Sequence, residues 1–172
     1  MGSLLPKIAR QAAEHYAKTG EYMHITWPLP PEFQSQKACF VSIAEQPGHH
    51  IRASFGTSLP RMRSLGEEIV HNTVEAIMAH NLRMRPVDTA AYTYTVAVIG
   101  PLERITSPEH LKPLSWGLYI RSEKNKTSLV LPRRPGIETA EEQIATAIRE
   151  AGIDPRTDTP TMYRFSVTFH DS

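Results

Sequence analysis

The sequence predicts an α+β fold: a mostly antiparallel sheet with helices packed against it. Two observations carry this. Segments with apolar residues at helical spacing and segments rich in β-branched and aromatic residues follow one another in the order α-β-β-α-β-β-β-α-β. Strands joined by short turns outnumber strand–helix–strand units, which favours antiparallel pairing.

Each element has a local reason. Ser3 precedes Leu4, Leu5, Ile8, Ala9, Ala12, Ala13 and Tyr16, which share one helical face. With Ser3 as N-cap and Gly20 past the end, the first helix covers about 4–18. The run Trp27-Pro28-Leu29-Pro30-Pro31 forbids helix or central strand and reads as an extended connector. Ala38–Ala44 reads as a strand, Pro47-Gly48 as a turn and Ile51–Phe55 as the returning strand, so the pair is a hairpin. Ser64 and Glu67 form a capping box ahead of Leu65, Ile69, Val70, Thr73, Val74, Ile77 and Met78, a helix over about 65–79.

Tyr92–Ile99 is a strand by composition, ended by Gly100-Pro101. Gly117–Ser122 and Ser128–Leu131 are two strands around the turn residues Lys124-Asn125-Lys126. Thr139 and Glu142 form a second capping box for a helix carrying Ile144, Ala147, Ile148 and Ala151, closed by Gly152. Met162–Phe169 alternates along its length, as a last strand with one polar side.

A chain of 172 residues favours one domain, 1–172, and can bury a core without staples. The balance of 19 Lys and Arg against 18 Asp and Glu provides no global field for nucleic acid or anionic membranes. The lone Cys39 makes no internal disulfide. With no signal-like N-terminus, it points to a reducing, cytoplasmic setting. No run of 18 apolar residues exists, so no transmembrane helix is expected.

Several strings resemble the AMMECR-domain family, known in prokaryotes as AmmeMemoRadiSam system protein A. The family signature LRGCIG, followed by GTL and Pro, is similar to Ile51-Arg52-Ala53-Ser54-Phe55-Gly56 and then Thr57-Ser58-Leu59-Pro60. Ala38–Ile43 resembles the preceding GAFVTL strand, and Thr95–Ile105 resembles EVSVLSPPEPI. Gly117–Ile120, Leu129–Pro132 and Tyr163–Phe169 resemble the GLIV, LLLP and YRFEAEVF strings. The resemblance spans nearly the whole chain. It implies a five-stranded (or larger) antiparallel sheet with flanking helices, and a smaller helical lobe. It also implies partnership with a Memo-type protein and a radical-SAM enzyme. Four positions depart from the pattern: Ala53 for glycine, Ser54 for the signature cysteine, Thr95 for a strand glutamate and Arg133 for a glutamine. They argue against cysteine-dependent chemistry.

A four-residue loop Gln46–His49 would pair Glu45 with His50, Ile43 with Arg52 and Val41 with Ser54. Cys39, Val41, Ile43, Arg52, Ser54 and Gly56 then share one face. Phe40, Ser42, Ala53 and Phe55 share the other. Cys39 would sit diagonal to Ser54, at roughly 7–8 Å. Two readings of Cys39 follow: a substitute for the missing signature thiol, or a buried structural thiol. Ser54 is a candidate nucleophile without a base at any assigning spacing; His49, His50, His71 and His80 are the histidines nearest in sequence.

Arg52 suits a carboxylate or phosphate, or an ion pair with a neighbouring acid. Arg61, Arg63 and Ser64 stand at the start of the second helix, either as an anion site or as a solvated basic loop. The sequence shows no metal-ligand spacing, no phosphate-binding glycine loop and no cofactor motif. Three functional readings follow. The first is an enzyme component for a small anionic molecule, with Arg52 binding the anion and Ser54, Phe55, Gly56, Thr95 and Arg133 lining the pocket. The second is a degenerate binding or adaptor module. The third, nucleotide or RNA binding, is disfavoured by the neutral charge.

Overall fold

The computed structural model describes residues 3–172. Its elements are α1 (Leu4–Thr19), α2 (Pro31–Gln34), β1 (Cys39–Glu45), β2 (His50–Gly56), α3 (Leu65–Ala79), β3 (Tyr92–Ile99), β4 (Glu103–Ile105), β5 (Gly117–Ser122), β6 (Thr127–Val130), α4 (Ala140–Ala151), β7 (Pro160–Phe165) and β8 (Val167–Asp171). They fall into two compact units. One holds the chain up to Val98 together with Thr168–Ser172; the other is Ile99–Val167. Each has a four-stranded sheet, in the order β2-β1-β3-β8 in the first and β4-β7-β5-β6 in the second.

The α+β class and the antiparallel pairing are as expected. The distribution of strands differs. The expected single sheet is two sheets, and the expected helical lobe carries a sheet beside its one α-helix. The division falls at Ser166. The expected continuous strand 162–169 divides there, β7 joining one sheet and β8 the other. The Gly100 N–H donates to the Ser166 carbonyl at 2.8 Å, and a Cβ on Gly100 would lie 2.5 Å from the Ser166 hydroxyl. Alternation runs from Tyr163 to Phe169 across Ser166, so side-chain period carries no sign of the division. β4 is three residues long, too short for a periodic signal.

In the first unit, α1 buries Leu5, Ile8, Ala9, Ala12 and Ala13. Gly20 ends α1 at φ 74, its N–H returning to the Tyr16 carbonyl at 2.8 Å. Ser3 holds the N-cap place, but its hydroxyl meets His170 Nδ1 at 2.9 Å instead of capping. The proline run is expected to forbid helix, but Pro31 opens the single turn of α2, because at the first helical position its missing N–H costs nothing. α3 starts at Ser64, whose hydroxyl accepts from the Glu67 N–H at 3.1 Å. Both helices pack on Cys39, Val41, Ile43, Ala53, Tyr94 and Val96 of the sheet.

The β1–β2 hairpin corrects the expected register. Glu45 does face His50, and Ala44 faces Ile51. The register then shifts, and Ile43 faces Ala53, Ser42 faces Ser54, Val41 faces Phe55 and Phe40 faces Gly56. Arg52 is the extra residue, a β-bulge. The expected pairs Ile43–Arg52 and Val41–Ser54 do not form. Cys39 and Ser54 lie on opposite faces, so the expected diagonal approach does not occur. Burial explains the bulge. Val41 and Ile43 are fully buried, and the shift places Ala53, 1% exposed, and Phe55 beside them. Without it, Ser54 would enter the core and Phe55 would leave it.

In the second unit, α4 covers Leu118, Ile120 and Val130 through Ala147, Ile144 and Ile148. Its N-terminus is a complete capping box: the Glu142 N–H donates to Thr139 Oγ1 at 3.1 Å, and the Thr139 N–H to Glu142 Oε2 at 3.3 Å. Gly117 lies against the fully buried Phe165 ring, where an added Cβ would come 2.2 Å from Cζ. Gly117→Ala is therefore expected to cost about 1–3 kcal/mol by overpacking. At about 2–4 °C per kcal/mol for a chain of this size, thermal unfolding should report the loss. A change under about 0.5 kcal/mol would show that the ring yields freely.

Candidate functional site

The shifted register assembles a row of hydroxyls on the sheet face away from α1 and α3. Ser54 of β2 pairs with Ser42 of β1, and Ser42 pairs with Thr95 of β3. Neighbouring strands lie about 4.8 Å apart, so the row spans about 10 Å. Thr95 Oγ1 donates to Asp171 Oδ1 of β8 at 2.8 Å, extending the row to a carboxylate. Among the described residues, the Ser42 and Ser54 hydroxyls have no hydrogen-bond partner. Phe40 bounds the row on the same face. Its ring covers Gly56, where a Cβ would meet Cδ2 at 2.2 Å and the Cys39 carbonyl at 2.7 Å.

Arg52, the bulge residue, donates from Nη1 to Glu45 Oε2 at 2.8 Å. The side chains are 52% and 47% exposed, so the pair is worth only about 0–1 kcal/mol. Phe55 lies on the helix side, packed against the core. Arg133 belongs to the second unit. It sits at φ 61, its N–H donating to the Pro113 carbonyl at 2.8 Å and its Nε to the Leu114 carbonyl at 3.3 Å. Of the sequence-selected residues, the first sheet thus brings Ser54, Gly56 and Thr95 to one face. Ser42 and Asp171 are additions. An unbulged register puts Ser42 on the other face, and Asp171 lies beyond the expected end of the last strand.

An activated nucleophile is absent among the described groups at Ser54. His80 Nε2 lies 3.1 Å from the Ser54 carbonyl oxygen, not from its hydroxyl. Cys39 is fully buried, and its backbone carbonyl and Sγ accept from Asn72 Nδ2 at 3.0 and 3.5 Å. Burial pushes its thiol up to about 12, with Glu68 adding to the rise and the Asn72 hydrogen bond opposing it. It therefore stays protonated and unreactive near neutrality. The start of α3 is filled from within. Glu68 Oε2 accepts the N–H groups of Arg61 and Met62 at 2.9 and 2.8 Å, and Glu67 Oε2 accepts that of Arg63 at 3.2 Å. No three His, Cys, Asp or Glu side chains converge as metal ligands among the described residues, and no helix there is long and apolar enough to cross a membrane.

The AMMECR1 family model matches residues 6–170, all but the two ends of the chain. The chain belongs to the AMMECR1 family. This AMMECR1 domain is similar to "Protein CA_C1420" of Clostridium acetobutylicum, 31% identical over 169 residues, covering 95% of this chain and 35% of that protein. The chain thus spans about a third of that relative's length. It is also similar to a Thermotoga maritima protein, 28% identical over 165 residues, covering 94% and 93% of the two chains. The crystal structure of uncharacterized protein PH0010 from Pyrococcus horikoshii shares the fold, with a TM-score of 0.86 over 99% of this chain and 91% of that one, at 24% identity.

The buried thiol yields a pH signature. The folded thiol keeps its proton to about 12, whereas the unfolded one releases it near 9. Folded chains therefore hold more protons between these values, and stability falls as pH rises through that window, by at most about 1.4 kcal/mol per pH unit. Buried Tyr94 is also raised and adds to the decline above 10. Melting temperature should fall less steeply from pH 9 to 12 in Cys39→Ala than in the parent. A thiol reagent at pH 8 should label the native protein only after denaturant is added; rapid native labelling would contradict the buried placement.

Proposed function

We propose that this AMMECR1 domain binds a small anionic molecule on the hydroxyl row of its first sheet, as the ligand-binding component of an enzyme system. The observation that carries this reading is the alignment of Ser54, Ser42 and Thr95 across three strands, with Arg52 two residues from Ser54. Ser42 and Ser54 offer two uncommitted hydroxyl donors to carboxylate or phosphate oxygens. Arg52 adds the positive charge, since its exposed pair with Glu45 is weak enough to exchange for a charge-assisted bond to ligand. Asp171 makes the other end of the row acidic. The ligand is thus oriented, its anionic group toward Ser54 and a hydroxyl or amino group toward Asp171. Gly56 and Phe40 supply an apolar boundary beside it.

A binding or adaptor module is the second reading. It is supported by the Clostridium relative, in which the matched region is 35% of a longer polypeptide. On this reading the domain serves another polypeptide, and the family resemblance nominates a Memo-type protein and a radical-SAM enzyme. The lone buried thiol suits the reducing cytoplasm for either role.

A thermal-shift panel of carboxylated and phosphorylated metabolites separates the two readings. A true ligand at 100 times its Kd should stabilise the domain by about 2.7 kcal/mol. Arg52→Ala should weaken that ligand about tenfold or more, and Ser54→Ala by a smaller factor. Equal stabilisation of parent and Arg52→Ala would remove Arg52 from the site. A panel with no active member would favour the adaptor.

A further inference from the structure

Residues Tyr22–Leu29 form no helix or strand, yet their burial alternates one by one. Met23, Ile25, Trp27 and Leu29 pack against the first-unit core, while Tyr22, His24, Thr26 and Pro28 are exposed. A period of two is that of extended chain. Ile25 and Leu29 rest on α3 at Gly66, where a Cβ would come within 2.9 and 2.5 Å of their Cδ1 atoms. Among the described residues, no backbone N–H or C=O from Tyr22 to Pro28 is hydrogen-bonded. The first to find a partner is the Leu29 carbonyl, which accepts from Gln34 Nε2 at 2.6 Å. The segment is a strand in its side-chain arrangement, with its ladder groups unused.

A groove of about 530 Å³ runs beside it. Tyr22, Met23 and Ile25 form one wall; Val70 and His71 of α3 form the other, with Arg63 at the α3 start. A second hollow of about 290 Å³ shares Ile25 and Glu67 with it and is lined by Trp27 and Pro28. The Tyr22 and His71 rings stack at 5.6 Å and 12°, closing one side of the groove, and Tyr22 Oη donates to Glu75 Oε1 at 2.7 Å. Arg63 is exposed, and its guanidinium has no partner among the described residues.

We propose that this groove takes an extended segment of a partner protein by strand addition along Tyr22–Trp27. The occupant is defined by what the groove presents. Unpaired main-chain groups along about 20 Å call for another backbone, not a compact metabolite. Half-buried Met23 and Ile25, above the buried Val70, call for apolar side chains at alternate positions. The unpartnered Arg63 calls for a carboxylate within the same segment. Pro28, Pro30 and Pro31 lack the N–H that pairing needs, so the added strand ends near Trp27. The proposal is independent of the hydroxyl row, because no residue is shared between the two sites.

The test uses the full chain and a phage-displayed library of random dodecapeptides. Selected peptides should alternate apolar residues and carry Asp or Glu. Binding should protect alternate amides of 22–27 from hydrogen exchange, amides that exchange freely without peptide. Arg63→Glu should weaken the selected peptide at least tenfold, while Arg52→Ala leaves it unchanged. Methylating the peptide's own backbone nitrogens at alternate positions should abolish binding in one phase and spare it in the other. This last test perturbs nothing in the protein's fold. Failure to select any peptide, protection appearing on β2 or β8 instead, an unaltered affinity in Arg63→Glu, or tolerance of N-methylation in both phases would each overturn the proposal.

Discussion

One extra residue in one strand governs the arrangement of the first sheet. Side chains alternate along a strand, so inserting Arg52 opposite the Ala44–Ile43 step exchanges the faces of everything that follows it in β2. The exchange sends Ala53 and Phe55 beneath the helices with Val41 and Ile43. It brings Ser54 beside Ser42 and, through β1, into line with Thr95. The apolar core and the hydroxyl row are thus two results of one bulge. Arg52 is free to reach Glu45 because a bulge residue has no cross-strand partner to hold it.

The core beneath that sheet contains polar groups, and each is tied to backbone. Asn72 links α3 to β1 through the Cys39 carbonyl, and Glu68 holds the turn at Arg61 and Met62. Both side chains are fully buried. Hydrogen bonds of this kind fix the position of α3 on the sheet more narrowly than apolar packing does, because a small slide leaves a buried group unpaired. They also explain why positions that look chemical in sequence are structural here. Glu67 and Glu68 satisfy the N–H groups ahead of α3 that an external anion would need. Cys39 is sealed under the helix by its neighbour Asn72.

The family's apolar frame and its chemical positions are separable in this chain. The strands resembling the family strings keep their places, while Ser54 stands where the signature has cysteine and Thr95 where it has glutamate. In the structure those two departures lie in one row, joined by Ser42. Those two replacements put hydroxyls where the signature has a thiol and a carboxylate, and leave Asp171 as the acid of the row.

Local rules made much of the fold legible. α1 and α3 were readable from apolar spacing, from Gly20 and from the Ser64 cap. The α4 start was readable from Thr139 and Glu142, and the hairpin loop from Pro47-Gly48. Each depends on contacts a few residues apart. The sequence by itself therefore determined the α+β class, three of the four α-helices, most strands and the family. Tertiary structure alone decided the register beyond Ala44, the division of 162–169 at Ser166 and the pairing of Thr95 with Asp171. In each of those cases the deciding partner lies on another strand. Ile51, Ala53 and Phe55 alternate in sequence as if they shared one face, so the bulge between them leaves no mark there, and a strand that changes sheets keeps its period while changing its neighbours.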